Sequence, residues 1–449
     1  MRKVRKSDRA ATPRLRRLSV PPFAALSGEL TRDVSGADAK TRAAVERIVK
    51  AVRKEGDVAL ARFQKAFDRA TLKPTQWEVP WSVWEQALKR VPKALHVALD
   101  GAAARIRDFA EKQMGRGFEH IALDGSRLAQ RLIPLERVGV YVPGGRAVYP
   151  STVLMTVIPA KVAGVKDVVV VTPPGGVCDV VLAACAYAKA DRLFLVGGAQ
   201  AIAALAYGTK TIPRVDKIVG PGNKWVAEAK RLVSGTVGID MIAGPTEVLV
   251  IADDSVDPRH VAADLIAQAE HDEDASAWLV TPHVPLIDAV DDELDRQLRA
   301  APRAAIARVS LEKNGMAVVV PDVKTAIEVA NLRAPEHLQL LVREPGSWVE
   351  QVRHAGAVFL GPLTPEHVGD YIAGPSHVLP TGGTARFASP LGVYDFAKRM
   401  SVIEYTRERL ELDARDIIAL AEAEGLPGHA EAVRVRLEGG DARRGTRDE

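Results

Sequence analysis

Only two cysteines, Cys178 and Cys185, occur in 449 residues. That leaves little room for a disulfide framework and fits a reducing, cytoplasmic setting. No apolar run approaches the roughly 18–20 residues of a membrane span, so no membrane partner is expected. The basic N-terminus lacks a following apolar core and does not read as a secretory signal. Nor is there a large charge excess across the body. The net charge of +4 misleads, because residues 1–18 carry eight Lys or Arg and one Asp, which leaves −3 for the rest. The pI of 8.9 therefore belongs to a tail. Among an RNA-binding arm, a transit peptide and a solvated extension, the tail reads as the last, and no nucleic-acid partner is expected. The end of the chain, 438–449, reads the same way.

What is present is ordinary for a globular protein: 47% hydrophobic and 26% charged residues. The length exceeds what one core usually serves, so two or more domains are expected. Apolar residues at three-to-four spacing predict helices over 38–54 and 93–112. Short β-branched runs then alternate with helices. The first set is 138–142, 167–172, 193–196 and 217–219; the second is 247–252, 277–281, 317–320, 338–342 and 357–360. Continuous apolar strands separated by helices imply parallel sheets covered on both faces. After about 391 the chain turns helical again, notably over 413–424. No internal sequence repeat is evident.

The motifs that carry chemistry follow these strands. Tyr141-Val142-Pro143-Gly144-Gly145, Gly197-Gly198-Ala199-Gln200 and Gly220-Pro221-Gly222-Asn223 each leave a strand and precede a helix. None has the dinucleotide spacing G-x-G-x-x-G. Three such turns after parallel strands would share one sheet edge, where open α/β sheets bind ligands, or they are turns without a ligand. Asp257 and Pro258 begin a helix whose apolar face is Val261, Leu265 and Ala269. On its last turn Gln268 and His271 can reach one point, and an amide oxygen with an imidazole suits a borderline divalent cation such as zinc. Ala334-Pro335-Glu336-His337 sets a carboxylate beside an imidazole, the side chain best poised for proton transfer near neutral pH. Pro365-Glu366-His367 repeats the tripeptide, and nothing local says which copy matters. Asp370 offers a hard oxygen ligand, with Ser376-His377 just beyond; Glu424 and His429 sit at and past the end of the last long helix. His96, His120, His260, His283 and His354 lack a polar constellation and read as structural or surface residues. Cys178 and Cys185 share a helix face and read as core residues.

Read together, these motifs resemble histidinol dehydrogenases. The stretch Ile239-Asp240-Met241-Ile242-Ala243-Gly244-Pro245-Thr246-Glu247 through Glu270-His271 is close to that family's signature. The resemblance also takes in, in chain order, the three glycine turns before that stretch and Ala334-Pro335-Glu336-His337-Leu338, Gly369-Asp370-Tyr371, Ser376-His377-Val378-Leu379-Pro380-Thr381 and Glu424-Gly425-Leu426 after it. The resemblance runs over 38–436. It implies an α/β fold: two Rossmann-like modules with parallel-sheet cores, a helical N-terminal segment and a small C-terminal helical domain. The expected divisions are a disordered basic tail over 1–18, a helical segment over 19–140 packing with the second module, a first, NAD-side module over 141–245, a second module with metal and catalytic residues over 246–391, a C-terminal helical segment over 392–437, and a disordered end over 438–449.

The resemblance also implies a function: NAD-dependent, four-electron oxidation of L-histidinol to L-histidine through L-histidinal, the last step of histidine biosynthesis. Two NAD are consumed per turnover. It further implies a homodimer with shared active sites and one zinc ion per subunit, bound by Gln268, His271, Asp370 and His429. That zinc would orient the substrate's amine and imidazole rather than polarise the alcohol. NAD contacts would be Tyr141, Gln200 and Asn223. Thr246, His377 and Glu424 would line the substrate pocket, which the metal ligands and His337 also border. His337 would be the base for each hydride loss, and Glu336 would activate water against the aldehyde. His367 falls where the family requires nothing and reads as incidental. The chain departs from the family at Thr246, where many members have Ser, at Val256, a usual small position, and in the basic extension. The alternatives are a paralogous zinc/NAD alcohol dehydrogenase acting on a sulfonated diol, a zinc hydrolase without NAD, and a silent paralogue.

Overall fold

A computed structural model of the chain describes residues 14–20, 37–144 and 148–438. The basic residues 1–13, Gly145 of the first glycine turn and residues 439–449 lie outside the described residues. Two compact units result. The larger takes the described residues up to Met114 together with Leu135–Phe396; the smaller takes Gly115–Pro134 and the chain from Ala397.

The larger unit holds two parallel sheets. In the first, the strands Arg192–Leu195, Asp167–Thr172, Arg137–Tyr141, Lys217–Val219 and Gly238–Ile239 lie side by side in that order. In the second, the order is Arg16–Ser19, Met316–Val319, Ser276–Thr281, Glu247–Ala252, His337–Leu341 and Ala357–Leu360. Each sheet therefore runs third, second, first, fourth, fifth in chain order, the arrangement of a Rossmann half, with one extra edge strand on the second. Val168 to Val171 and Val248 to Ala252 are buried on both faces, as continuous apolar strands require. No helix among the described residues is long and apolar enough to cross a membrane.

Four expectations need correction. First, the N-terminal helices cover the first module, not the second. Helix Ala39–Glu55, capped by Asp38 at 2.6 Å from the Thr41 amide, buries Val45, Ile48, Val49 and Val52 in one core with Tyr141, Ala201 and Val226. Helices Trp81–Arg90 and Lys93–Lys112 bury Trp84, Leu99 and Ile106 with Met155 and Leu182 on the sheet's other side. The cause lies in the module's own helices. Pro150–Val162 is buried from Thr152 to Ala160, and Gly198–Tyr207 from Ala199 to Ala206. A helix apolar all round needs cover on its outer side. The second module's Pro258–Ala269 leaves Arg259 and His260 in solvent and needs less.

Second, the basic tail ends earlier than residue 18. Arg16–Ser19 pairs with Met316–Val319, Leu15 is buried beside Ala317, and Arg17 meets Asp288 and Asp291 at 2.7 and 3.0 Å. Third, the first module begins with the strand at Arg137, four residues before the expected boundary. Fourth, the C-terminal segment is not wholly helical. In the smaller unit, strand Ala397–Glu404 pairs antiparallel with Arg127–Pro134, which pairs with Phe118–Ile121. Helices Arg407–Ala423 and Pro427–Glu438 follow, so His429 sits in the first turn of a further helix and Glu438 closes it.

Cys185 is fully buried, which pushes its thiol up. Cys178 is half-buried at the N-cap of the same helix. His96 is satisfied, its ring nitrogens 2.9 Å from the Tyr187 hydroxyl and 2.7 Å from the Leu88 carbonyl.

Candidate active site

The three glycine turns leave the carboxyl ends of parallel strands and so share one edge of the first sheet. The order reverses between Arg137–Tyr141 and Lys217–Val219, the point at which such sheets bind ligands. Two of the expected NAD contacts meet there at Gly198. Its amide donates to the Tyr141 hydroxyl at 3.1 Å, and the buried Gln200 side chain folds so close that a Cβ on Gly198 would lie 2.7 Å from Gln200 Oε1. Burial pushes the Tyr141 phenol up to about 12, so it stays a neutral hydrogen-bonding group. Asn223 caps helix Lys224–Val233: its Oδ1 accepts from the Trp225 and Val226 amides, which leaves Nδ2 with capacity for a ligand.

The third turn is clipped from below. The Gly220 amide donates to Asp240 Oδ2 at 2.7 Å, its carbonyl accepts from Lys230 at 3.0 Å, and Lys230 pairs with Asp240 in a fully buried site. Gly220 has φ of +109°, and a Cβ would lie 2.2 Å from the Tyr141 carbonyl oxygen. Gly220→Ala is therefore expected to destabilise the fold by about 2–4 kcal/mol, as urea unfolding would report.

The second cluster gathers at the amino ends of the second sheet's strands, opposite to the usual ligand edge. The left-handed Ala334 (φ +50°) ends helix Val323–Arg333, and Pro335 turns the chain into strand His337–Leu341. Gly356 fits against this corner: a Cβ there would lie 2.6 Å from the Glu336 carbonyl oxygen. Glu336 and His337 thus reach the start of strand Glu247–Ala252 together. The Gln268 amide nitrogen donates to the Thr246 hydroxyl at 2.9 Å, which donates to Glu336 Oε2 at 2.6 Å. The Glu247 amide adds a second bond to the same oxygen at 2.9 Å. His337 Nδ1 lies 3.1 Å from the Glu247 carbonyl and 3.8 Å from Glu336 Oε2. A carbonyl only accepts, so Nδ1 carries the proton and Nε2 is the basic nitrogen. Burial pushes Glu336 up to about 8 despite its hydrogen bonds to Thr246 and Glu247.

Arg333 and Glu247 form a buried ion pair at 2.6 Å, with the guanidinium 4.6 Å from the Trp278 ring centre. Glu247 Oε1 also accepts from the Gly382 amide at 2.8 Å. The pair fixes the strand start on which Glu336 and His337 lean. Removing one partner of such a pair costs about 3–5 kcal/mol.

His271 lies just past the helix end at Ala269, with its amide 3.3 Å from the Gln268 carbonyl. It is exposed, yet the surrounding protein disfavours its charged form and lowers its pKa, against the pull of Asp370. His377 is also held low by burial; its ring nitrogens lie 3.0 Å from the Asp370 carbonyl and 3.3 Å from the Thr152 hydroxyl. Glu424 ends helix Arg407–Ala423 and His429 follows it; both are exposed and belong to the smaller unit.

Among the described residues no group of three or more His, Cys, Asp or Glu is arranged to hold a metal. Gln268 nevertheless fits the expectation of a ligand. Its Nε2 is spent on Thr246, while its Oε1 is buried with no hydrogen-bond partner. A buried oxygen without a donor is costly unless a ligand satisfies it, and a cation held with the neutral His271 ring and Asp370 would do so.

Sequence reasoning set one residue aside that the structure places in the cluster. Glu366, in the repeated tripeptide, is 1% exposed, and its Oε2 lies 3.8 Å from His337 Nδ1 without a hydrogen-bond partner. The repetition itself was the available signal.

The sequence profile of histidinol dehydrogenases matches residues 31–437. The chain belongs to the histidinol dehydrogenase family. It is 51% identical over 402 residues to histidinol dehydrogenase from Nitrosospira multiformis, covering 89% of this chain and 91% of the relative. It is 53% identical over 392 residues to the Aquifex aeolicus protein, covering 87% and 91%. The crystal structure of histidinol dehydrogenase from Elizabethkingia anophelis superposes with a TM-score of 0.88 at 35% identity, covering 95% of this chain and 98% of that one. Family membership makes the chain an NAD-dependent oxidoreductase of histidine biosynthesis that acts on histidinol. Nothing in these likenesses supports a sulfonated diol as substrate.

Proposed function

We propose that the second cluster carries out both oxidations of L-histidinol at one carbon, in the cytoplasm, with His337 and Glu336 dividing the proton work. The observation that carries this reading is their convergence on the start of one strand, where His337 has a fixed tautomer and Glu336 a shared hydroxyl. His337 Nε2 takes the hydroxyl proton as the carbon's hydride passes to NAD. Glu336 then takes a proton from water as it adds to the aldehyde, and His337 returns its own to the aldehyde oxygen. The hydrate loses a second hydride to a second NAD, again with His337 as base. Thr246 and Gln268 hold Glu336 in place, and Tyr141, Gln200 and Asn223 hold the NAD.

Gln268, His271, Asp370 and His429 would hold one zinc ion per subunit, which when bound fixes the substrate's amine and imidazole. His429 and Glu424 would be supplied across a homodimer. In support, the smaller unit leaves Phe118, Ile121, Leu123, Ile403, Leu412 and Leu420 exposed, an apolar content that favours cover by a partner chain. His377, whose ring nitrogens both have protein partners, would contact substrate only by exchanging one of them.

The test is NADH formation from L-histidinol by the zinc-loaded protein, lost on chelation and restored by zinc; NADH formation indifferent to chelation would remove the metal from the reading. His429→Ala is expected to lower zinc content severalfold with unchanged circular dichroism. Full zinc occupancy in that variant would strike His429 from the ligand set.

A further inference from the structure

The repeated Pro-Glu-His tripeptide ends with its carboxylate, not its imidazole, in the cluster. Helix Glu366–Tyr371 follows strand Ala357–Leu360 after a five-residue connection, and Gly369 presses against the Phe359 ring, where a Cβ would lie 2.8 Å from Phe359 Cε1. That contact seats the helix beside His337, whose ring is itself 6.1 Å from Phe359. The Glu366 carboxyl is enclosed, with Oε2 3.8 Å from His337 Nδ1 and Oε1 3.7 Å from His367 Nε2. A buried carboxyl oxygen without a hydrogen-bond donor is destabilising unless a charge gives it a purpose.

The reaction supplies such a charge. Each hydride loss leaves a proton on His337, and the imidazolium must persist until that proton is passed on. Glu336 is 3.8 Å away but bound by Thr246 and the Glu247 amide, and it has work of its own. We propose that Glu366 is a positioning residue whose carboxylate, facing His337 Nδ1, stabilises the imidazolium formed each time His337 removes a substrate proton. In each step the substrate O–H bond breaks and the His337 Nε2–H bond forms. The Nδ1 proton stays on Nδ1, and Glu366 neither gains nor loses a proton. The proposal rests on His337 being the base.

The surroundings agree. Burial pushes Glu366 up to about 8, and the strongest opposing influence is the charge on His337, so the carboxylate and the imidazolium favour each other's charged forms. Other charged groups bear on the pair: Glu336 before the strand, Asp264 on the neighbouring helix and Asp370 one turn on disfavour the Glu366 charge. Glu247 is already matched by Arg333. His271, His367 and His377 are the nearby imidazoles. An opposite charge at this range typically moves an imidazole by about one unit or more.

The test is steady-state kinetics from pH 6 to 9 on the zinc-loaded full chain, with histidinol and with histidinal, for Glu366→Gln, Glu366→Asp and His337→Gln. Glu366→Gln is expected to lower kcat by about 10–100-fold with both substrates and to leave KM within about threefold. It should move the acidic limb of kcat/KM down by about one pH unit, because the ring loses the charge that favours its protonation. Glu366→Asp, which keeps the charge, is expected to recover most of the rate and to serve if the glutamine variant does not fold. A Glu366→Gln profile superimposable on that of the unmodified protein, with or without a fall in kcat, would overturn the proposal, as would an aspartate variant as slow as the glutamine one. If the limb survives in His337→Gln, the base reading itself fails; if it disappears there yet stands unmoved in Glu366→Gln, only the role of Glu366 fails.

Discussion

His337→Gln is expected to lower kcat by about 10²–10⁴ with histidinol and with histidinal alike, the range for losing a positioned base. The argument is geometric. The Glu247 carbonyl, 3.1 Å from Nδ1, can only accept, so it selects the tautomer whose Nε2 carries the lone pair. A glutamine keeps a donor for that carbonyl but offers no basic nitrogen. Both hydride losses require proton removal from an oxygen on the same carbon, so the same nitrogen serves twice. Stopped-flow NADH traces with each substrate check this. A loss confined to one of them would mean that a second base exists.

Glu336→Gln is expected to separate the two halves of the reaction. Conversion of histidinal to acid should fall by about 10²–10³, while alcohol oxidation changes by less than about tenfold. The amide can still accept from Thr246 and the Glu247 amide, so the strand start is kept while the proton acceptor is lost. The pH dependence follows from the same residue. Burial raises Glu336 to about 8, so its basic form is scarce at pH 6 and grows as pH rises through that value. Histidinal conversion should therefore climb between pH 7 and 9 in the unmodified protein and lose that climb in Glu336→Gln. Equal losses with the two substrates would sink the division of labour.

Much of this was legible in the chain, for a definite reason. Parallel strands buried on both faces are continuous apolar runs, and Asp167–Thr172, Glu247–Ala252 and Ala357–Leu360 were recognisable on that pattern alone. Strands Arg127–Pro134 and Ala397–Glu404 were not, because they lie in a three-stranded antiparallel sheet, are mostly half-exposed or exposed, and carry basic residues between apolar ones. Arg16–Ser19 looked like tail because its arginines dominate it; that Arg17 meets two aspartates on helix Val284–Leu298 is a long-range fact. The cover of the first module by helices 39–112 is illegible in sequence for a similar cause. Which of two α/β layers takes an outer helix depends on how apolar the inner helices' outward faces are.

At the site, Glu336, His337, Thr246 and Gln268 lie together, and Tyr141 and Gln200 meet around Gly198. Glu366 escaped because nothing local distinguishes a buried carboxyl from a solvated one. The burial comes from Gly369 seating its helix on Phe359, a contact between segments that no spacing rule encodes.

The measurement that bears most directly on the account is the NADH formed per L-histidinol when the substrate is limiting and NAD is in excess. Two NADH, with histidine as the product and no histidinal released, are what a single site with one base and one water-activating carboxylate predicts. One NADH per substrate, with free histidinal accumulating, would contradict it.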